Sequence, residues 1–151
     1  KGTLFLAIAC LATRLAALRV ENISGVASHM PWTMGAFLLA GLSLIGIPGT
    51  AGFVSKWSLM SAAFAEGIIG GVLIAVIILG SLMALIYVWR VVEPAYFGHA
   101  ATDAEPVREA PRMLLTITWA AALANLYFGL VPTLPMELSS LAAEILLGHV
   151  Q

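Results

Sequence analysis

The segment from Pro31 to about Ala65 is too long and too apolar to be one ordinary helix, and it carries its own interruption. At about 1.5 Å of rise per residue, an unbroken helix over that span would run roughly 50 Å, against about 30 Å for the hydrocarbon core of a bilayer. It must tilt steeply, overshoot or break. The stretch GIPGTAGFVSKW, Gly46 to Trp57, says where it breaks. Pro48 lacks a backbone donor, and the glycines around it tolerate dihedrals that no helix uses. The interruption is read over Gly46, Pro48, Gly49, Thr50 and Gly52, and Lys56 follows it within two turns.

The rest of the chain fits the same class. Of 151 residues, 61% are hydrophobic and only 10% charged, with a mean hydropathy of +1.00. A water-facing globule usually carries about a quarter charged residues, so there is too little polar surface here to cover one. The expected fold is an all-α integral membrane protein with about four transmembrane helices and a short C-terminal amphipathic helix. The segments are helix a (1–18), broken helix b (31–65), helix c (68–97), helix d (111–130) and the amphipathic stretch 136–148. In that last stretch Met136, Leu138, Leu141, Ala142, Ile145 and Leu146 fall near one face, which suits a helix lying at the membrane interface. Lys1 enters an apolar run directly, so the chain reads as a piece of a longer protein whose first helix is cut partway.

The arginines predict the topology. Arg14 and Arg19 lie at the a–b link, and Arg90, Arg108 and Arg112 lie around the c–d loop. The b–c turn, AEGIIGG, has neither Lys nor Arg. Positive-inside bias puts the a–b and c–d loops in the cytoplasm and the C-terminal tail outside, in a bacterial inner membrane. Trp32, Tyr87, Trp89 and Tyr96 fall near the cytoplasmic span ends, as an aromatic belt does.

Lys56 is the most expensive side chain in this plan. An ammonium on an isolated helix in lipid costs several kcal/mol, about 3 on insertion scales and more in simulations, so it should face protein or a wet cavity. The break supplies one: around Ile45 to Pro48 the first half-helix leaves carbonyls without intrahelical partners, and the second starts with free N–H groups near Thr50 to Phe53. A lysine held between solvating carbonyls and desolvating surroundings can take up and release a proton. The alternative is a lysine that snorkels to the interface. Glu66, roughly 15 Å further along at helical rise, is either a proton acceptor on the way out or a solvated helix-end carboxylate. Ser55 and Ser58 are supporting polar groups that could bind water, or small residues for helix packing. Arg90 and Glu93 can pair across a turn of helix c.

Other chemistries are excluded. With Cys10 alone there is no disulfide framework and no cysteine-rich metal site, and His29 and His99 stand without ligand spacing. No cofactor or metal is expected. The net charge of -1, with no basic patch, offers nothing to nucleic acid. Nothing in the chain has the makings of a self-contained enzyme.

The stretches LAGLSLIGIPGTAGFVSKW and SLMALIYVWRVVEPAYFG resemble the C-terminal part of the antiporter-like proton-channel subunits. These occur in Mrp-type multisubunit Na+/H+ antiporters and in the membrane arm of complex I and related hydrogenases, and the wording is most similar to the D-type subunit of the Mrp antiporters. The resemblance implies a larger helical fold of two inverted repeats, of which this chain is the last four helices. It implies other membrane subunits as partners in a hetero-oligomer, the bilayer as surroundings, and protons with Na+ as cargo. It implies that Lys56 is the terminal lysine of a proton path and that Lys1, in KGTLFLA, matches the central lysine. In a complex I-like assembly the chain would be a non-redox subunit of an NADH:quinone oxidoreductase. A passive membrane scaffold is the third reading.

Overall fold

The computed structural model describes residues 1–15, 23–98 and 108–148. Arg19, His99 and most of the acidic c–d loop lie outside the described residues, as do the last three positions expected for helix a. Among the described residues there are seven α-helices and no strand. They are α1 (Gly2–Ala12), α2 (Val26–His29), α3 (Pro31–Ile45), α4 (Ala51–Ala63), α5 (Gly67–Phe97), α6 (Arg112–Leu130) and α7 (Thr133–Leu147), with a 3-10 turn at Phe64–Glu66.

Local chemistry explains where these elements start and stop. α1 ends at Ala12, short of the expected Leu18, because Thr13 turns its hydroxyl back onto the Cys10 carbonyl at 2.7 Å and Arg14 N–H bonds the Leu11 carbonyl at 3.0 Å. Gly25, with φ 71°, then admits a one-turn helix, α2, that the polar link did not announce. Pro31 sits at the first position of α3, where a missing N–H costs nothing. α7 begins at Thr133 rather than Met136, since Pro135 falls in the first turn, whose N–H groups have no helical partners anyway.

Helix b does not continue through its interruption. α3 stops at Ile45, Gly46 takes a left-handed φ of 93° and Gly49 one of 90°, and α4 starts at Ala51 with extended Thr50 as its N-cap. The start of α4 lies beside the last turn of α3, since a Cβ at Gly52 would overlap the Ser43 carbonyl. Two half-helices of about 22 and 20 Å thus overlap laterally instead of forming one rod.

The 3-10 turn and Gly67 reverse the chain, so α5 runs back against α4 and α3. A single core gathers at one end of the bundle: Leu4, Ala7 and Leu11 from α1, Met34 and Phe37 from α3, Val88, Val92 and Ala95 from α5. Each set repeats at three- and four-residue steps, one face per helix. α3 and α5 cross closely over Gly41, where an added Cβ would lie 2.7 Å from Val88. The other half of α5 packs against α4 and the turn on one side and leaves much of its apolar surface open: Ile68 is 90% exposed and Met83 69%. Apolar surface that continuous belongs in lipid or against further helices, not in water. α5 and α6 are each long and apolar enough to cross a bilayer.

Candidate functional site

The break generates its own acceptors. In an α-helix the carbonyl of residue i takes the N–H of residue i+4. For Leu44 that residue is Pro48, which has no N–H to give. The Gly46 and Ile47 N–H groups both turn to the Leu42 carbonyl, at 3.0 and 3.1 Å. The Leu44 and Ile45 carbonyls are therefore open at the end of α3.

Lys56 fills them. From the second turn of α4 its side chain reaches back past Gly46, and Nζ donates to the Leu44 carbonyl at 2.7 Å and the Ile45 carbonyl at 2.9 Å. The third donor goes to Ser81 Oγ on α5, also at 2.7 Å. An ammonium has three N–H donors, and all three have an oxygen within hydrogen-bond distance. Ser81 in turn donates to the Ile77 carbonyl at 3.0 Å. Lys56 is half-buried and does not run out to an interface. Gly46 is doubly required here, by its φ of 93° and because an added Cβ would meet Lys56 Cδ at 3.0 Å.

Three of the donors expected to be free at the start of α4, those of Thr50, Gly52 and Phe53, are bonded instead. Phe53 N–H lies 3.0 Å from the Thr50 carbonyl and 3.4 Å from Thr50 Oγ1, and Thr50 Oγ1 itself donates to the Ile47 carbonyl at 2.7 Å. Gly52 N–H bonds Ser43 Oγ at 3.2 Å, and that hydroxyl donates to Asn125 Oδ1 at 3.0 Å. Neutral oxygens cap this helix end. α6 holds the arrangement from the side: Asn125 bonds Ser43, and one turn later Gly129 leaves room for the Gly49–Thr50 backbone to pass.

The other residues singled out from sequence fall around this centre without touching it. Lys1 is the exposed N-cap of α1, and α1 packs on α3 and α6. About 17 Å of helix separates it from the end of α1, and about 20 Å separates Leu44 from the start of α3. Those two helix ends share one end of the bundle, where Arg14 Nε bonds the Glu109 carbonyl and Glu109 caps α3, so the two lysines lie at similar depth. Glu66 is exposed in the turn, at one end of a hollow of about 370 Å³ between α4 and α5. The remaining lining is apolar, including Leu59, Leu73, Val76 and Ile77. Ser55 and Ser58 bond back to the Ala51 and Val54 carbonyls of their own helix, at 3.1 and 3.0 Å. They line a separate hollow of about 450 Å³ with Phe128, Met136 and Ser139. Arg90 and Glu93 share an exposed recess with Trp89.

Sequence reasoning missed Ser81, Ser43, Asn125 and Glu109. Ser81 and Asn125 did leave a signal, each a polar side chain inside an apolar helix. Among the described residues there is no cluster of His, Cys, Asp or Glu suited to a metal.

The chain is similar to known proteins along its whole length. Residues 1–84 match the family described as NADH:quinone oxidoreductase/Mrp antiporter, TM. NADH-quinone oxidoreductase subunit N of Desulforudis audaxviator is 42% identical over 96 residues, 64% of this chain and 19% of that protein. The D-type subunit of the Na(+)/H(+) antiporter of Bacillus subtilis is 29% identical over 148 residues, 98% of this chain and 30% of that protein. The chain therefore spans less than a third of the length of either relative. Among solved structures, a chain of the Mrp complex from Dietzia sp. DQ12-45-1b superposes with a TM-score of 0.83 at 25% identity, covering 94% of this chain and 34% of that one. The broken helix with its lysine, the all-helical architecture and the sequence match over more than half the chain agree: the chain belongs to the NADH:quinone oxidoreductase/Mrp antiporter transmembrane family.

Proposed function

We propose that this chain carries the outward part of a proton path in a multisubunit monovalent cation (Na+)/proton antiporter of Mrp type, with Lys56 as the group that takes up and releases the proton. The observation that carries the reading is the Lys56 ammonium held by two carbonyls freed at the helix break and by the Ser81 hydroxyl. A side chain kept only for packing has no use for three aligned acceptors inside an apolar bundle, and intramembrane ionisable groups mark ion pathways. Lys1, at similar depth, is the donor side of the relay, and Glu66 the exit at the far end of the α4–α5 turn. The hollow beside Glu66 has an apolar lining that begins at Leu59, one turn beyond Lys56 along α4. Gly46, Pro48, Gly49, Thr50 and Gly52 serve to build the break, and Ser55 and Ser58 hydrate the neighbouring hollow. The cytoplasm lies at the Arg14 and Arg112 end, and the C-terminal helix outside. Other antiporter subunits complete the path.

The test is cation-driven proton exchange in inverted vesicles carrying the full-length protein in its complex. Lys56→Ala is expected to lower exchange by about two orders of magnitude, the usual weight of a proton-transferring side chain. Lys56→Arg, which stays protonated, is expected to fail as well. Unchanged exchange in both variants would leave only a scaffold role. The 42% identity to an NADH-quinone oxidoreductase subunit N supports a second reading, a non-redox proton-pumping subunit of a complex I-like enzyme. Proton pumping that needs quinone reduction, with no Na+ response, would select it.

A further inference from the structure

Lys56 can serve a relay only if both of its protonation states have a place in the site, and two of its three partners cannot serve the neutral one. The Leu44 and Ile45 carbonyls only accept hydrogen bonds. A neutral amine has two N–H donors and a lone pair, so one of its three partners must become a donor. Ser81 is the only partner of Lys56 with a proton of its own, which it gives to the Ile77 carbonyl at 3.0 Å.

We propose that Ser81 is the positioning residue that admits both states of Lys56, by reversing the direction of one hydrogen bond. The proposal rests on the reading of Lys56 as a proton carrier. In the charged state Nζ donates to Ser81 Oγ and the hydroxyl donates to Ile77. When the ammonium loses one proton to an entering water, two N–H groups stay on Leu44 and Ile45 and the lone pair is left facing α5. The hydroxyl then swings from Ile77 to Nζ and donates to that lone pair. Serine keeps its proton throughout, and the site loses one unit of charge. The Ile77 carbonyl retains its helical bond from the Ser81 N–H, so the swing strands no buried group. A staggered rotation of one light atom accomplishes the change, with no movement of backbone.

The neighbourhood leaves this role to Ser81. The titratable side chains on the elements beside α4 are Glu66 in the turn, Tyr87, Arg90, Glu93 and Tyr96 on α5, Arg112 and Tyr127 on α6, and Glu137 and Glu144 on α7; α3 carries none. None of them hydrogen-bonds Lys56, whose three bonds are those to Leu44, Ile45 and Ser81.

The experiment measures the pH–rate profile of cation/proton exchange for the full-length protein in its complex, with Ser81→Ala and Ser81→Thr beside wild type and Lys56→Ala. The abundance of the protein in the membrane is followed in parallel. Ser81→Ala is expected to assemble normally and to move the midpoint of the profile by about one pH unit, because the variant loses a hydrogen bond in both states and the bond to the ammonium outweighs the bond to the neutral amine by about that much. Ser81→Thr keeps the hydroxyl and should restore it. A Ser81→Ala profile with an unmoved midpoint, even at reduced rate, overturns the proposal, as does a threonine variant that behaves like alanine. In either of those cases an inactive Lys56→Ala would leave the proton-carrier reading standing. An active Lys56→Ala would remove both.

Discussion

Single residues at the break act through the space and the dihedral they allow. Gly46 needs both a left-handed φ and room for the Lys56 stem, so Gly46→Ala is expected to cost about 1–2 kcal/mol from the dihedral alone. It should also loosen the Lys56 contacts. Gly52→Ala should be worse, because the atom in its way is the Ser43 backbone carbonyl, which cannot turn aside. Gly71→Ala is the matched control: nothing lies within 4 Å of an added Cβ there, and alanine favours the helix. Thermal unfolding of the purified complex in detergent should rank the three variants in the order Gly71→Ala, Gly46→Ala, Gly52→Ala, from most to least stable. A Gly52→Ala variant as stable as wild type would mean that the half-helices do not overlap as described.

At the scale of elements, both ends of α3 are finished by other parts of the chain. Glu109, from the segment before α6, reaches the N-terminus of α3: its carboxylate accepts from Trp32 N–H at 3.2 Å, Thr33 N–H at 3.3 Å and Thr33 Oγ1 at 2.6 Å. Its own carbonyl accepts from Arg14 Nε at 3.0 Å, which ties the end of α1 to the same point. A carboxylate there meets free N–H groups and the positive end of the helix dipole. Glu109→Ala is expected to destabilise the bundle by about 1–2 kcal/mol, with Glu109→Gln intermediate, because the amide keeps one acceptor but loses the charge. Unfolding midpoints would measure it. Exchange per assembled complex should stay near wild type, since Glu109 and Lys56 act at opposite ends of α3. A loss of exchange without loss of stability would tie this cap to the transport path instead.

For the whole molecule, the contacts show which helix ends lie together. The Arg14, Glu109 and Trp32 contacts gather the end of α1 and the starts of α3 and α6 at one end, and the α4–α5 turn is at the other. In a cysteine-free background of the full-length protein, Arg108→Cys is expected to react with a membrane-impermeant thiol reagent only from the cytoplasmic side, and Ala65→Cys only from outside. Labelling of both from one side would refute the proposed sidedness. Much of this plan was legible in the chain. Long apolar runs, few charges and the proline–glycine interruption imply a broken membrane helix, because backbone donors cannot be left unpaired in lipid. The acceptors at the break were legible in part: open carbonyls are expected around Ile45 to Pro48, whereas those that hold Lys56 are Leu44 and Ile45, and the Ile47 carbonyl accepts from Thr50. What the chain could not reveal was the third partner. Ser81 lies 25 residues from Lys56, and on a bare apolar helix a serine can face any direction. Only the register of the α4–α5 hairpin turns it toward the ammonium. The same holds for Asn125, 82 residues from Ser43, and for Glu109, 76 residues from Thr33. Sequence by itself determined that the helix breaks and that a lysine follows, because those depend on covalent geometry and solvation. The tertiary structure alone decided how that lysine is held, because distant side chains meet only when helices pack.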